Sequence, residues 1–179
     1  MSLIILDRDG VINHDSDDFI KSPAEWKPIE GSLEAIARLN YAGYRVIIIT
    51  NQSGISRGLL DVETLNHIHS KMRRMLAQVG GKIEAILFCP HGSKDEYLCR
   101  KPQDGSFSEL ASRLRITLKD IPAVGDSLRD ILAAQAAGAT PILVRTGKGD
   151  KMPAKAIPEG VAVYDDLAAV VDALLDPTI

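Results

Sequence analysis

Six short runs rich in β-branched residues, separated by longer stretches of helical period, constrain this chain most. Leu3–Leu6, Arg45–Thr50, Ile83–Phe88, Ile121–Val124, Pro141–Val144 and Val161–Tyr164 read as strands. Between them, Leu33, Ile36, Ala37 and Leu39 mark one helix face, with Gly43 as a stop signal just beyond. A longer helix fits 61–79, with Asp61 as N-cap and Gly80-Gly81 ending it. The spacing Ser106-x-x-Glu109 predicts a capping box that opens another helix. Further helices fit 128–137, closed by Gly138, and 166–175. Continuous apolar strands alternating with helices belong to a parallel sheet covered on both faces, so an α/β doubly wound domain spanning residues 1–179 is expected.

With 45% hydrophobic and 25% charged residues, the 179-residue chain has the balance of a soluble globular protein. A formal charge of −3 argues against a nucleic-acid partner, and no apolar run is long enough for a membrane span. The first residues lack the basic region and long apolar core of a signal peptide. Cys89 and Cys99 are the two cysteines, too few for a disulfide framework. We therefore expect a cytoplasmic protein, acting as a monomer. The segments 8–30 and 89–105 exceed ordinary connection lengths, which points to function. Residues 146–160, rich in Gly, Lys and Pro, are expected to form a mobile surface excursion.

In a doubly wound sheet, ligands bind beyond the carboxyl ends of the strands. The first strand ends in Asp7-Arg8-Asp9-Gly10, which can offer a nucleophile and an acid/base one residue apart. The second ends in Thr50-Asn51-Gln52-Ser53-Gly54, a polar turn with a hydroxyl at its tip. After the third comes the long loop with Arg100-Lys101-Pro102, and after the fourth Gly125-Asp126-Ser127, with Asp130 one turn on. Any one of these could be a turn former, a helix cap or a solvated charge. Carboxylates, a hydroxyl and a cation arriving at successive strand ends favour a phosphoryl-transfer site instead.

This ordered set resembles the haloacid dehalogenase superfamily of phosphotransferases, in their doubly wound form without a separate cap domain. The resemblance implies that Asp7 is the nucleophile, that Asp9 moves the proton, and that Thr50 and Lys101 hold the transferring phosphoryl group. It also implies Mg²⁺ held by Asp7, the backbone carbonyl of Asp9, and Asp126. Hard oxygen donors suit that ion, and its charge offsets carboxylate–phosphate repulsion. Asp130 is expected to steady these groups rather than touch the metal.

The stretches Asp7–Asn13, Thr50–Gly58, Cys89-Pro90-His91 and Cys99-Arg100-Lys101-Pro102 look like the D-glycero-D-manno-heptose 1,7-bisphosphate phosphatases, with histidinol-phosphate phosphatases as close relatives. This implies a small phosphorylated sugar as substrate, hydrolysed at its 7-phosphate in activated-heptose synthesis for lipopolysaccharide or surface glycans. Substrate contacts are expected from Arg8, Asn13, Asp15, Ser16, Asp17, Asp18, Asn51, Gln52 and Ser53. Arg100 is expected to take the distal phosphate. A histidinol-phosphate phosphatase is the alternative enzyme, and a phosphate-binding scaffold without catalysis the alternative outside enzymes. Members of the family carry a structural zinc loop. Here Cys89, His91 and Cys99 match it, but Tyr97 replaces the remaining cysteine, leaving water, Asp95 or another side chain to complete the site. A metal-free remnant of that loop is expected, with zinc as the alternative.

Other features point less far. His67 and His69 are two apart on a helix and face different ways, so they make poor joint metal ligands. His14 reads equally as a substrate contact near the first loop and as a surface histidine. The stretch 145–149 lacks the spacing of a nucleotide-binding phosphate loop, and Lys71, Arg73 and Arg74 read as a solvated helix face.

Overall fold

A computed structural model describes residues 2–94 and 96–176. Six strands, β1 (Ser2–Leu6), β2 (Tyr44–Asn51), β3 (Ala85–Cys89), β4 (Pro122–Gly125), β5 (Thr140–Val144) and β6 (Ala162–Tyr164), form one sheet in the order β3-β2-β1-β4-β5-β6. Every pairing is parallel, with Leu6 opposite Ile48 on one side and Val124 on the other. Five helices, α1 (Ser32–Tyr41), α2 (Val62–Gln78), α3 (Gly105–Leu114), α4 (Leu128–Ala136) and α5 (Leu167–Leu175), complete the α/β fold.

Alternate residues of the central strands serve two cores. Ile4, Leu6, Val46 and Ile48 pack with Ile36 and Leu39 of α1, Leu65, Ile68 and Met72 of α2, and Val170 and Val171 of α5. Leu3, Ile5, Ile47 and Ile49 point the other way, with Phe107 and Leu110 of α3 and Ala133 and Ala134 of α4. A strand buried on both faces has no polar side, which is why these runs read as unbroken apolar stretches. Trp26, fully buried, caps the first core from the long β1–α1 connection.

Helix boundaries follow local chemistry. The Asp61 carboxylate accepts from Thr64 N at 2.7 Å and Asp166 from Ala169 N at 2.8 Å. Gly43, just past α1, has φ +87°. The capping box expected at Ser106 does not form: α3 already begins at Gly105, and the Ser106 hydroxyl donates to Cys99 O at 2.9 Å. Ser106 is buried, so a tertiary acceptor replaces the local one. Among the described residues no helix is long and apolar enough to cross a membrane.

Strand order reverses between β1 and β4, and the crevice outside their carboxyl ends is the switch point where doubly wound sheets bind ligands.

Candidate active site

At that switch point Asp7 follows β1, Thr50 lies near the end of β2, and Asp126 follows β4. Lys101 reaches in from the loop after β3, buried at 3% exposure. Its ammonium meets Asp7 Oδ1 at 3.1 Å, Asp130 Oδ1 at 2.6 Å and the Ile49 carbonyl at 2.9 Å, which uses all three of its donors. Asn51 fixes the backbone that delivers it: its amide nitrogen donates to Lys101 O and its carbonyl accepts from Lys101 N, both at 3.1 Å. The Lys101–Pro102 peptide is cis.

Carboxylate oxygens of Asp7, Asp126 and Asp130 lie within 4.8 Å of one another. Burial, and then the surrounding negative charges, push Asp7 up to about 7 despite the nearby Lys101. Burial and then the Asp7 and Asp130 charges push Asp126 up to about 8. Buried carboxylates that cannot ionise comfortably side by side are suited to sharing a cation. Asp130 differs. Burial alone would raise it, but the Lys101 charge and its hydrogen bonds hold it below the ordinary range. Its Oδ2 accepts from Asp126 N, Ser127 N and Ser127 Oγ at 3.1, 3.0 and 2.8 Å, so both oxygens are engaged.

Asp9 faces the crevice with its carboxylate tied down. Its Oδ1 accepts from Arg8 Nε and Nη2 at 2.9 and 2.8 Å and from Asn13 Nδ2 at 2.9 Å; its Oδ2 accepts from Gln52 Nε2 at 2.9 Å. Burial would raise it, yet the Arg8 charge and these donors together keep it below the usual carboxylate value. The Asp9 carboxylate therefore stands apart from the three-carboxylate cluster. Its backbone carbonyl accepts no hydrogen bond among the described residues. Gly10, at φ +84°, lets the chain pass against Asp126, where a Cβ would overlap the carboxylate.

The crevice has a volume of about 320 Å³. Of the residues expected to contact substrate, Asp15, Ser16, Asp17, Asn51, Gln52, Ser53 and Arg100 line it. Arg8, Asn13 and Asp18 do not. Arg8 and Asn13 are fully buried behind Asp9, because a carboxylate at a strand end draws the nearest donors inward; Asp18 points to solvent.

Other lining residues were not anticipated: Phe19, Ile20, Arg57, Arg129 and Lys148. Arg57 and Arg129 depress the pKa of Arg100, after its partial burial, and among the described residues none of the three arginines forms an ion pair. Unpaired guanidinium groups beside a crevice prepare it for an anion. The start of the segment 146–160, expected to be a mobile surface excursion, is tied to the site. Thr146 Oγ1 donates to Gly10 O at 2.6 Å, Lys148 N donates to Asp126 Oδ2 at 2.8 Å, and Lys148 Nζ pairs with Asp15 at 2.5 Å. Its position after a strand end was the available signal, and glycines in the sequence masked it.

Cys89 and Cys99 are bonded to each other, so neither is a thiolate ligand in this structure. His91 stacks on Tyr97 with centroids 3.4 Å apart. A pair, rather than a framework, closes this loop; Asp95 lies outside the described residues.

A parallel sheet with carboxylates, a lysine and a hydroxyl at adjoining strand ends defines a haloacid dehalogenase-like hydrolase. Family models described as "Haloacid dehalogenase-like hydrolase" and "HAD-hyrolase-like" match residues 4–68 and 98–170. The chain is 56% identical to a D-glycero-β-D-manno-heptose-1,7-bisphosphate 7-phosphatase of Bordetella bronchiseptica, over 98% of each chain. It is 50% identical to the protein of that name from Pseudomonas aeruginosa, over 97% of this chain and 98% of the other. A crystal structure of D,D-heptose 1,7-bisphosphate phosphatase from B. bronchiseptica, complexed with magnesium and phosphate, superposes with a TM-score of 0.96 at 56% identity, covering 99% of both chains. The chain belongs to the D-glycero-β-D-manno-heptose-1,7-bisphosphate 7-phosphatase family of these hydrolases.

Proposed function

We propose that this chain is a Mg²⁺-dependent phosphatase that removes the 7-phosphate of D-glycero-β-D-manno-heptose 1,7-bisphosphate. The observation that carries the chemistry is the cluster of Asp7, Asp126 and Asp130 pinned by Lys101, with Asp9 and Thr50 on the same crevice.

The donor set is all oxygen, which suits Mg²⁺. Asp7, Asp126 and the backbone carbonyl of Asp9 would hold the ion, and Asp130 would orient Lys101 and the Asp126 peptide. Bound there, Mg²⁺ supplies positive charge that offsets repulsion between the phosphate and the carboxylates.

The Asp7 carboxylate attacks phosphorus, forming an O–P bond as the bond to the sugar oxygen breaks. Asp9 gives that oxygen its proton. In the free enzyme Asp9 is ionised, and the approaching phosphate charge favours its protonation. As a carboxylate again, Asp9 takes a proton from water, which attacks the aspartyl-phosphate, releases inorganic phosphate and frees Asp7. Thr50, and Lys101 as it moves one donor from Asp7 Oδ1 to a phosphoryl oxygen when Asp7 attacks, hold the transferring group in line.

Arg57, Arg100 and Arg129, without an ion pair among the described residues, favour a bisphosphate over histidinol phosphate, whose ammonium group they would repel. Lys148–Asp15 and the Arg57–Phe19 contact, with the guanidinium carbon 5.3 Å from the ring centroid, pin loops around the crevice. These loops shape the pocket of a single domain over residues 1–179 without a cap. The proposal extends to a monomer in the cytoplasm, with no nucleic-acid or membrane partner. Phosphate-release kinetics on the two candidate substrates test the assignment: kcat/KM higher on histidinol phosphate overturns it.

A further inference from the structure

Behind the crevice wall, a chain of buried side chains leads away from Asp9 to the outside of the molecule. Arg8 has no exposed surface. Its Nε and Nη2 grip one oxygen of Asp9, Nη2 also approaches Gln52 Oε1 at 3.3 Å, and Nη1 lies 3.1 Å from His69 Nε2. A guanidinium can only donate, so this last contact is a hydrogen bond only if His69 is neutral with its proton on Nδ1. Its surroundings enforce that state, because burial and then the Arg8 charge push His69 down to about 3.

His69 projects from α2 and is 7% exposed. Its Nδ1 has no protein acceptor among the described residues. The ring lines a second cavity of about 310 Å³, with Asn66, Ser70, Arg73, Ile86 and Phe88, between α2 and β3.

The consequence follows from how an arginine holds a carboxylate. With both Nη groups free, the guanidinium fork can take both oxygens of a carboxylate in parallel. Here Nη1 goes to His69, which anchors the far end of the guanidinium, and Nε and Nη2 converge on Oδ1 alone. Asp9 Oδ2 is left to Gln52, which also donates to Thr50 Oγ1 at 3.0 Å.

We propose that His69 is a positioning residue for phosphoryl transfer: by accepting from Arg8 Nη1, it keeps the Asp9 carboxylate turned toward the transferring phosphate. This rests on Asp9 as the proton carrier. Without the imidazole acceptor, Arg8 rotates to satisfy its buried donors on Asp9 and withdraws the second oxygen from the crevice.

The test compares His69→Leu, His69→Gln and His69→Ala in the full chain, using phosphate release from the heptose bisphosphate, with a thermal melt of each variant. His69→Leu is expected to lower kcat roughly tenfold, with KM changed by less than about twofold. His69→Gln restores an acceptor and recovers most of kcat. In His69→Ala, added imidazole enters through the rear cavity and raises kcat in proportion to its neutral fraction. Wild-type kcat in His69→Ala without imidazole refutes the proposal, as does a loss that neither Gln nor imidazole reverses. If His69→Leu does not fold, the other two variants decide. Absence of phosphate release from the wild-type protein would instead strike at the phosphatase assignment.

Discussion

Removing divalent cations should expose a pH-dependent weakness centred on Asp7 and Asp126. From about pH 6.5 to about pH 8.5, folded His69 is neutral; the unfolded chain's imidazole sheds its remaining half proton near the lower edge, which opposes the carboxylate effect by only about 0.4 kcal/mol. Asp9 and Asp130, held low, are ionised in both. Asp7 and Asp126 are the groups that change, from about 7 and about 8 when folded to the ordinary 3.8 when unfolded. In this window the native protein carries protons that the unfolded chain has already lost, so stability falls as pH rises and levels off above about pH 8. Asp7 titrates over about half a unit of the window and Asp126 over about one and a half, each unit being about 1.4 kcal/mol. The sum is about 3 kcal/mol; because the two share one repulsion, a loss of about 2 kcal/mol is expected. For a domain of this size that lowers Tm by about 4–8 °C.

The single, fully buried Trp26 reports unfolding by fluorescence. Melts in chelator across the window should show the decline. Saturating Mg²⁺ should abolish it, with a larger increment at high pH, because the ion needs ionised carboxylates. A flat metal-free Tm, or the same Mg²⁺ increment at both ends of the window, would refute the assignment of these carboxylates to a cation site.

Asp7→Asn should abolish steady-state phosphate release while keeping the melting transition; normal turnover in that variant removes the covalent route. Gly147 has φ +57°, and a Cβ there would strike the Asp126 carboxylate and come within 2.6 Å of Gly10 Cα. Gly147→Ala should therefore cost about 1–3 kcal/mol of stability and raise the Mg²⁺ concentration for half-maximal activity, read by thermal melts and metal titration. Arg100→Ala should raise KM for the bisphosphate about tenfold or more and leave a monophosphate ester nearly unaffected, so equal losses on both would contradict a distal-phosphate role.

Much of this was legible in the chain. Apolar strands alternating with helical stretches demanded a parallel sheet, since periods of 2 and 3.6 are local properties of the backbone. The strand ends then delivered Asp7, Thr50 and Asp126, and the long loop after the third strand delivered Lys101. Asp130, one turn after Asp126, was expected to steady other groups; its carboxylate meets Lys101 and the peptides at Asp126 and Ser127, and also lies within the three-carboxylate cluster.

Tertiary structure alone decided the direction of each loop side chain. Arg8 and Asn13 turn inward because Asp9, at a buried strand end, offers acceptors that no solvent reaches as well. Lys148 arrives from the segment after β5, where Gly10 and Gly147 let two backbones close on one carboxylate. Cys89 and Cys99 bond to each other when the loop folds back, and His91 turns to Tyr97. A repeating backbone period writes itself along the chain, whereas these contacts join residues far apart in it. Their partners are chosen by burial, charge and close approach, which exist only once the sheet has assembled.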